Sequence, residues 1–367
     1  GASETANKIG QPAEAVEYAQ KLISDFPDSK LIDEAQVALA DAYISTGKTE
    51  EARAIYDRIA GGEPGTRAQA GALVGMAKIA IDQGNYEEAA KRLEARMAAT
   101  AQTEGVDEAQ TLLAKAYHGA GRLAEARETL NTMIKDHPDS PEMAGAMMEL
   151  TRVLDDMGLR ADALQVARQA AEQFPSDAQV LRTEGALLAL EGKYREAGDV
   201  LLSADKAGLN DPQVMIEAAR NYSACEAFPE AAKTYERVLA RFPRLPQAFV
   251  ARMELAEVTF RSGKQQEGIR RLEQLAKSVD ALPQRLPIIV SLARMYEQLG
   301  LHERAAELSK EIATASTEPE VLAQAATALL DGHSPAEGAA LADRVDISKL
   351  TEKSAYNLLV KHGRALL

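Results

Sequence analysis

Residues 39–59 read LADAYISTGKTEEARAIYDRI, and residues 113–134 read LAKAYHGAGRLAEARETLNTMI. Both run through a small residue (Ala40, Ala114), a large one (Tyr43, Tyr117), a glycine (Gly47, Gly121) and an alanine (Ala52, Ala126). Such a segment reads as two helices joined by a turn, because glycine lets the chain leave one helix through a left-handed conformation and start the next. Working outward, the final alanine belongs to a ladder of Ala15, Ala52, Ala89, Ala126, Ala163, Ala197, Ala231, Gly268, Ala305 and Gly338. Its spacings are 37, 37, 37, 37, 34, 34, 37, 37 and 33 residues.

Five residues before each rung stand Gly10, Gly47, Gly84, Gly121, Gly158, Gly192, Glu226, Gly263, Gly300 and His333, so glycine fills all but two of these hinges. Twelve before the rung, from Ala40 onward, every residue is Ala, Gly or Thr, which permits two helices to pack closely antiparallel. Nine before it come mostly large apolar residues such as Tyr43, Leu154 and Tyr296. Pro27, Pro64, Pro138, Pro175 and Pro243, each twelve after a rung, stop the second helix. A period of this length means an array of stacked supersecondary units. Composition agrees, since Trp is absent and aromatics make up 4% of a chain without the β-branched and aromatic runs of a sheet. The chain is expected to be all-α.

In these recurring columns the sequence resembles the tetratricopeptide repeat family over nearly its whole length. The resemblance implies a right-handed α-solenoid of about nine stacked helix-turn-helix hairpins. The commoner period, 37, exceeds the family's usual ~34, so the extra residues are expected in the connections between hairpins. Segments such as YAQKLISDFPDSKLIDEAQ and LNTMIKDHPDSPEMAGAMMEL resemble the longer repeats of bacterial envelope lipoproteins that assist outer-membrane assembly. That likeness implies a bacterial periplasm or cell envelope, with the cytoplasm as the alternative. Departures from the pattern fall at Glu184, at Glu226 and in the degenerate ninth hairpin. Residues 1–32 read as a partial first repeat, 33–345 as the solenoid, and 346–367 as a capping helix or the start of a further repeat. Because Gly10 already occupies a hinge, the first helix is expected to be cut short, with upstream sequence removed.

The formal net charge of -14, from 42 basic and 56 acidic residues, argues against nucleic acid as a partner, which requires a basic surface. Cys225 is the single cysteine, so an intrachain disulfide framework and a thiolate zinc site are excluded. His118, His137, His302, His333 and His362 lie far apart without metal-ligand spacing and read as surface or loop residues. Acidic pairs such as Glu50–Glu51 and Glu87–Glu88 sit at helix starts, where they complement the helix dipole. The expectation is a protein that is not an enzyme, with no cofactor and no metal. No apolar run approaches the roughly 18 residues of a membrane span.

The family resemblance further implies that the first helix of each hairpin lines a concave groove, with its second, fifth, ninth, twelfth and thirteenth positions pointing inward. The ninth position reads Asp41, Lys78, Lys115, Arg152, Ala186, Arg220, Glu257, Arg294 and Thr327, of which five of nine are basic. Arg182 joins them from a fifth position, and Val74, Ile81, Met148, Ile216, Met253, Phe260 and Val290 stand around them. The candidate ligand-binding set is therefore Lys78, Lys115, Arg152, Arg182, Arg220 and Arg294 with the apolar anchors Met148, Ile216, Met253 and Phe260. A basic stripe with apolar pockets suits a protein or peptide partner of acidic character. The competing structural account is that these bases pair with acids nearby, such as Asp155, Asp156 and Glu297. Two further functions compete: a periplasmic scaffold for export of an anionic exopolysaccharide, which the scarcity of aromatics opposes, and self-assembly by head-to-tail stacking.

Overall fold

The structure is a computed structural model that describes residues 12–62, 65–99, 105–279, 282–331 and 335–365. The hinge positions Gly10 and His333, and Pro64, lie outside the described residues. The chain divides into two compact units, Gly1–Leu187 and Leu188–Leu367. Unit 1 holds α1 (Pro12–Asp25), α2 (Ile32–Ser45), α3 (Thr49–Ala60), α4 (Arg67–Asp82), α5 (Tyr86–Ala99), α6 (Val106–Gly119), α7 (Leu123–Asp136), α8 (Met143–Asp156), α9 (Arg160–Gln173) and most of α10 (Ala178–Leu190). Unit 2 continues with α11 (Tyr194–Ala204), α12 (Pro212–Ala224), α13 (Phe228–Arg241), α14 (Pro246–Arg261), α15 (Gln265–Lys277), α16 (Leu282–Gln298), α17 (His302–Ala315), α18 (Pro319–Asp331), α19 (Pro335–Ala342) and α20 (Glu352–Ala365). No strand occurs among the described residues. Even-numbered helices up to α18 are the first helices of hairpins and odd-numbered ones the second, so the expected all-α array of hairpins is what forms.

Each hairpin turn among the described residues spans three residues. Gly47, Gly84, Gly121, Gly158, Gly192, Gly263 and Gly300 all take positive φ. The residue after the glycine then donates its N–H back to the last turn of the first helix, as Lys48 does to Tyr43, Arg122 to Tyr117 and Leu301 to Tyr296 at 2.8, 2.8 and 2.9 Å. This is a Schellman closure, which satisfies carbonyls the helix end would otherwise leave open. Glu226 makes the same turn at φ 59 without glycine's freedom, and Ala227 N–H still reaches the Tyr222 carbonyl at 2.8 Å.

The rungs fall where the helices cross. Ala15, Ala52, Ala89, Ala126, Ala163, Ala197, Ala231 and Ala305 are all 0% exposed. Opposite them lie Ala40, Ala77, Ala114, Ala219, Ala256 and Ala326, also 0% exposed. Gly268 packs tighter still, since a Cβ there would stand 2.7 Å from the Ala256 carbonyl oxygen and 2.7 Å from Phe260 Cβ. Consecutive hairpins are tied by the large residue nine before the rung: Tyr117 donates to Glu94 at 2.9 Å, Tyr222 to Asp199 at 2.6 Å and Tyr296 to Glu273 at 2.6 Å. Each of these bonds spans 23 residues and ties a first helix to the second helix of the preceding hairpin.

The extra residues of the longer repeats do not all sit in connections as expected. In unit 1 the connections α3 to α4 and α7 to α8 hold some of them, at residues 61–66 and 137–142, and α4 also runs to 16 residues. In unit 2, α14 and α16 absorb them by running to 16 and 17 residues. Within each unit the first helices of consecutive hairpins touch, α2 on α4, α4 on α6, α6 on α8, then α12 on α14, α14 on α16 and α16 on α18. No comparable contact joins consecutive second helices among the described residues, which makes the first helices the inner row of each unit. Beyond α19, helix α20 packs on α18 and α19 and buries Leu358 in the cluster of Leu322, Leu329 and Leu341.

Candidate partner-binding face

In unit 1 the inner row carries Lys78 on α4, Lys115 on α6, Arg152 on α8 and Arg182 on α10. Lys78 Nζ lies 2.6 Å from Glu108 Oε1 on α6. Burial pulls this ammonium down, but Glu108, with Asp41 and Glu142, outweighs burial and holds it above the ordinary lysine value. Lys115 is partly buried and has no ion-pair or hydrogen-bond partner among the described residues.

Arg152 belongs to a cluster that its sequence position alone does not reveal. Its Nη1 meets Glu149 Oε2 at 2.7 Å, while Glu149 Oε1 meets His118 Nδ1 at 2.7 Å and His118 Nε2 meets Asp156 Oδ2 at 2.7 Å. Glu149 is only 4% exposed. A carboxylate on each ring nitrogen calls for a donor proton on both, which is the imidazolium form. Burial alone would lower the His118 pKa, yet the hydrogen bonds that the ring donates to Asp156 and Glu149 raise it above the ordinary histidine value. The expectation of His118 as a plain surface or loop residue is corrected here: it clamps α6 to α8. Its partners are 31 and 38 residues away, so no local spacing advertised them. The signal available was a glutamate three residues before Arg152, one turn away on the same first helix.

In unit 2 the inner row is zipped in the same manner. Arg220 on α12 forks onto Glu254 of α14, with Nη2 and Nε at 2.6 and 2.9 Å from Oε1. Tyr235 reaches from α13 to donate to Glu254 Oε2 at 2.8 Å. Arg294 on α16 meets Glu257 of α14 at 2.6 Å, and Ser291 donates to the same oxygen at 2.7 Å. The pairing acids are thus Glu108, Glu149, Glu254 and Glu257; the expected Asp155 bonds Arg160 instead, and Glu297 bonds His302. Of the apolar anchors, Met148 and Met253 are partly buried, whereas Ile216 is 0% and Phe260 6% exposed. Both of the latter pack inside core clusters and offer no open surface.

Unit 2 also holds a cavity of about 480 Å³ between α16, α18 and α20. Its polar lining includes Arg294, Glu297, Asn357, Lys353 and Lys361. On α20 the last three stand four residues apart on one helix face, a spacing legible in the sequence. A smaller cleft of about 190 Å³ between α3, α4 and α5 is spanned by bonds of its own, from Arg53 to Gln83 at 3.0 Å and from Arg92 to Met76 Sδ at 3.3 Å. Among the described residues no group of histidine, cysteine and carboxylate side chains could hold a metal ion, and no helix is long and apolar enough to cross a membrane.

Hairpins with alanine and glycine at the crossing points, glycine hinges and an inner row of first helices define a repeat scaffold of the tetratricopeptide class. Residues 9–79 and 80–150 match one tetratricopeptide repeat model and residues 217–285 a second. Together these cover more than half of the chain, which belongs to the tetratricopeptide repeat family. Among solved structures it is similar to a tetratricopeptide repeat protein of Parabacteroides merdae, at 15% identity and a TM-score of 0.51 over 70% of this chain and 98% of that one. It is likewise similar to the C-terminal part of a TPR repeat-containing protein from Cytophaga hutchinsonii, at 14% identity and a TM-score of 0.53 over 68% of this chain and 98% of that one. At such identities the likeness shows the fold alone. Among curated proteins no sequence matches this chain. Tetratricopeptide arrays are in general non-catalytic scaffolds that bind protein or peptide partners, and that general function follows from the family.

Proposed function

We propose that the chain holds an extended protein segment of acidic character along the inner row of first helices, and that Lys115 is the principal contact for a partner carboxylate in unit 1. The observation that carries this is the contrast along that row: Lys78 and Arg152 already face scaffold acids, while the partly buried Lys115 between them in sequence faces none among the described residues. A partner carboxylate there gains a charge-assisted hydrogen bond without first displacing a scaffold glutamate. Partly buried Met148 offers an adaptable apolar contact in the same unit. The internal pairs make attraction by bulk charge weak, so orientation by a few placed cations replaces the continuous basic stripe expected from sequence. An anionic polysaccharide fits less well, because Phe260, the aromatic at an inward position, is buried and sugar stacking needs an open ring.

The test is fluorescence anisotropy with a labelled extended peptide of alternating aspartate and leucine. The expected result is saturable binding that weakens with added salt and falls about tenfold in Lys115→Glu. No binding, or binding that ignores both salt and the Lys115 substitution, overturns the assignment. A polyuronate chain that shifts the protein on a native gel, while the peptide does not bind, would move the function to carbohydrate.

A further inference from the structure

Helices α1 and α20 leave apolar faces open, and the repeat register says what each face lacks. Seven and eleven residues after a rung, the second helix of a hairpin carries apolar side chains that meet its own first helix, sixteen residues before the rung. Met147 shares a core cluster with Ala170 and Phe174, Met215 with Val238 and Phe242, and Ile289 with Ile312. In α1 the same two places fall on Leu22 and, just past its end, Phe26. These are 43% and 63% exposed, and no first helix covers them among the described residues.

Helix α20 has the register of a first helix. Leu359 and Gly363 follow the Gly338 rung by 21 and 25 residues, the places that Ile289 and Ala293 hold after Gly268. It packs on α18 as one first helix does on the next. Yet Leu359 is 50% exposed and Tyr356, one turn before it, 69%. At Gly363 nothing lies within 4 Å of where a Cβ would stand, whereas Ala256 and Ala326 at the same place in their hairpins are 0% exposed. A first helix open on the side of its second, and a second helix open on the side of its first, are complementary surfaces. Charge agrees. Residues 12–31 hold Glu14, Glu17, Asp25 and Asp28 against Lys21 and Lys30, while α20 holds Lys353, Lys361 and Arg364 against Glu352. One surface is acidic by two charges and the other basic by two, so unlike surfaces attract and like ones repel.

We propose that a second copy of this chain covers both faces, docked head to tail: α20 of one copy lies on α1 of the next, with Leu359 and Tyr356 against Leu22 and Phe26. The contact removes large exposed apolar side chains from water and rebuilds between copies the pairing that Ile289 and Ile312 make within one. Because the two surfaces differ, it is heterologous, and each pair keeps one open face of each kind for further copies. It does not involve Lys115, so it stands or falls apart from the acidic-partner reading.

Sedimentation velocity of the whole chain against concentration tests this. Two opposed helices bury little area beside a stable complex, so the average mass should rise above the 39.4 kDa of one copy at about 10–100 µM and fall back with added salt. Leu359→Glu and Phe26→Glu each put a charge on an exposed position, and each alone should stay at the mass of one copy up to about 300 µM. Mixed, they should form a complex of two copies and no larger, because the intact α1 face of the first variant meets the intact α20 face of the second. Should either variant unfold, the concentration dependence of the parent still decides. The proposal is overturned if the parent stays at one copy's mass up to about 300 µM, if either folded variant still associates with itself, or if the mixture fails to pair.

Discussion

At the scale of single residues, two hinge and crossing positions carry opposite strains. Gly268 replaces the usual alanine rung because the α14 backbone comes too close for a Cβ, with contacts of 2.7 and 2.8 Å to Ala256, Phe260 Cβ and Phe260 N. Gly268→Ala is therefore an overpacking change and should destabilise by about 1–3 kcal/mol, read as a lower urea midpoint. Glu226 is the reverse case, a side chain at φ 59 where the other described hinges have glycine. Glu226→Gly should raise stability by roughly 0.5–1 kcal/mol, the left-handed strain relieved less the entropy glycine adds to the unfolded chain. A lower midpoint for that variant would mean the carboxylate contributes something the hinge geometry does not explain. These positions were legible in the sequence, because the ladder placed alanine or glycine at every crossing and marked Glu226 as one of two hinges without glycine. What the inner-row side chains bond to was not legible. Arg220 and Glu254 are 34 residues apart and Arg294 and Glu257 are 37 apart, so each pair becomes visible only once repeat is laid on repeat and side-chain direction is known.

At the scale of elements, the joint between α6 and α8 depends on one proton. His118 bridges Glu149 and Asp156, and its folded-state pKa lies above the ordinary value. The resulting stabilisation is complete below the unfolded histidine pKa of about 6.5 and is lost as pH rises through the higher folded value. Above that point one carboxylate faces a bare nitrogen, and for the buried Glu149 only Arg152 remains. Stability should thus fall as the solution goes from about pH 6 to pH 8.5. His118→Gln should be about 1–3 kcal/mol less stable than the parent at the acid end and closer to it at the alkaline end. Urea midpoints for both proteins across that range check the claim; a gap that widens with pH would reverse the assigned protonation. Element lengths show a similar split between what periodicity reveals and what it hides. The period counts hairpins, but it cannot say whether added residues lengthen a loop, as before α8, or a helix, as in α14 and α16.

At the scale of the molecule, the extensive contacts within each unit join helices one or two places apart along the chain. Stability in such an array is a sum of hairpin terms and nearest-neighbour terms, so damage should stay near where it is made. The division at Leu187 and Leu188 falls within the interval from Ala163 to Ala197, the first of the two 34-residue spacings in an otherwise mostly 37-residue ladder. The change of period was visible in the sequence. That it coincides with a boundary between compact units was not, because a ladder of small residues reads the same on both sides of it. Gly268→Ala distinguishes local from global coupling. Its strain is applied where α15 meets α14, and their packed neighbours in unit 2 are α12, α13 and α16. Hydrogen exchange followed by mass spectrometry should show faster exchange in α12 to α16 and unchanged protection in α2 to α7. If protection in unit 1 falls by the same factor, the whole chain opens as one cooperative body, and the nearest-neighbour account of its stability is wrong.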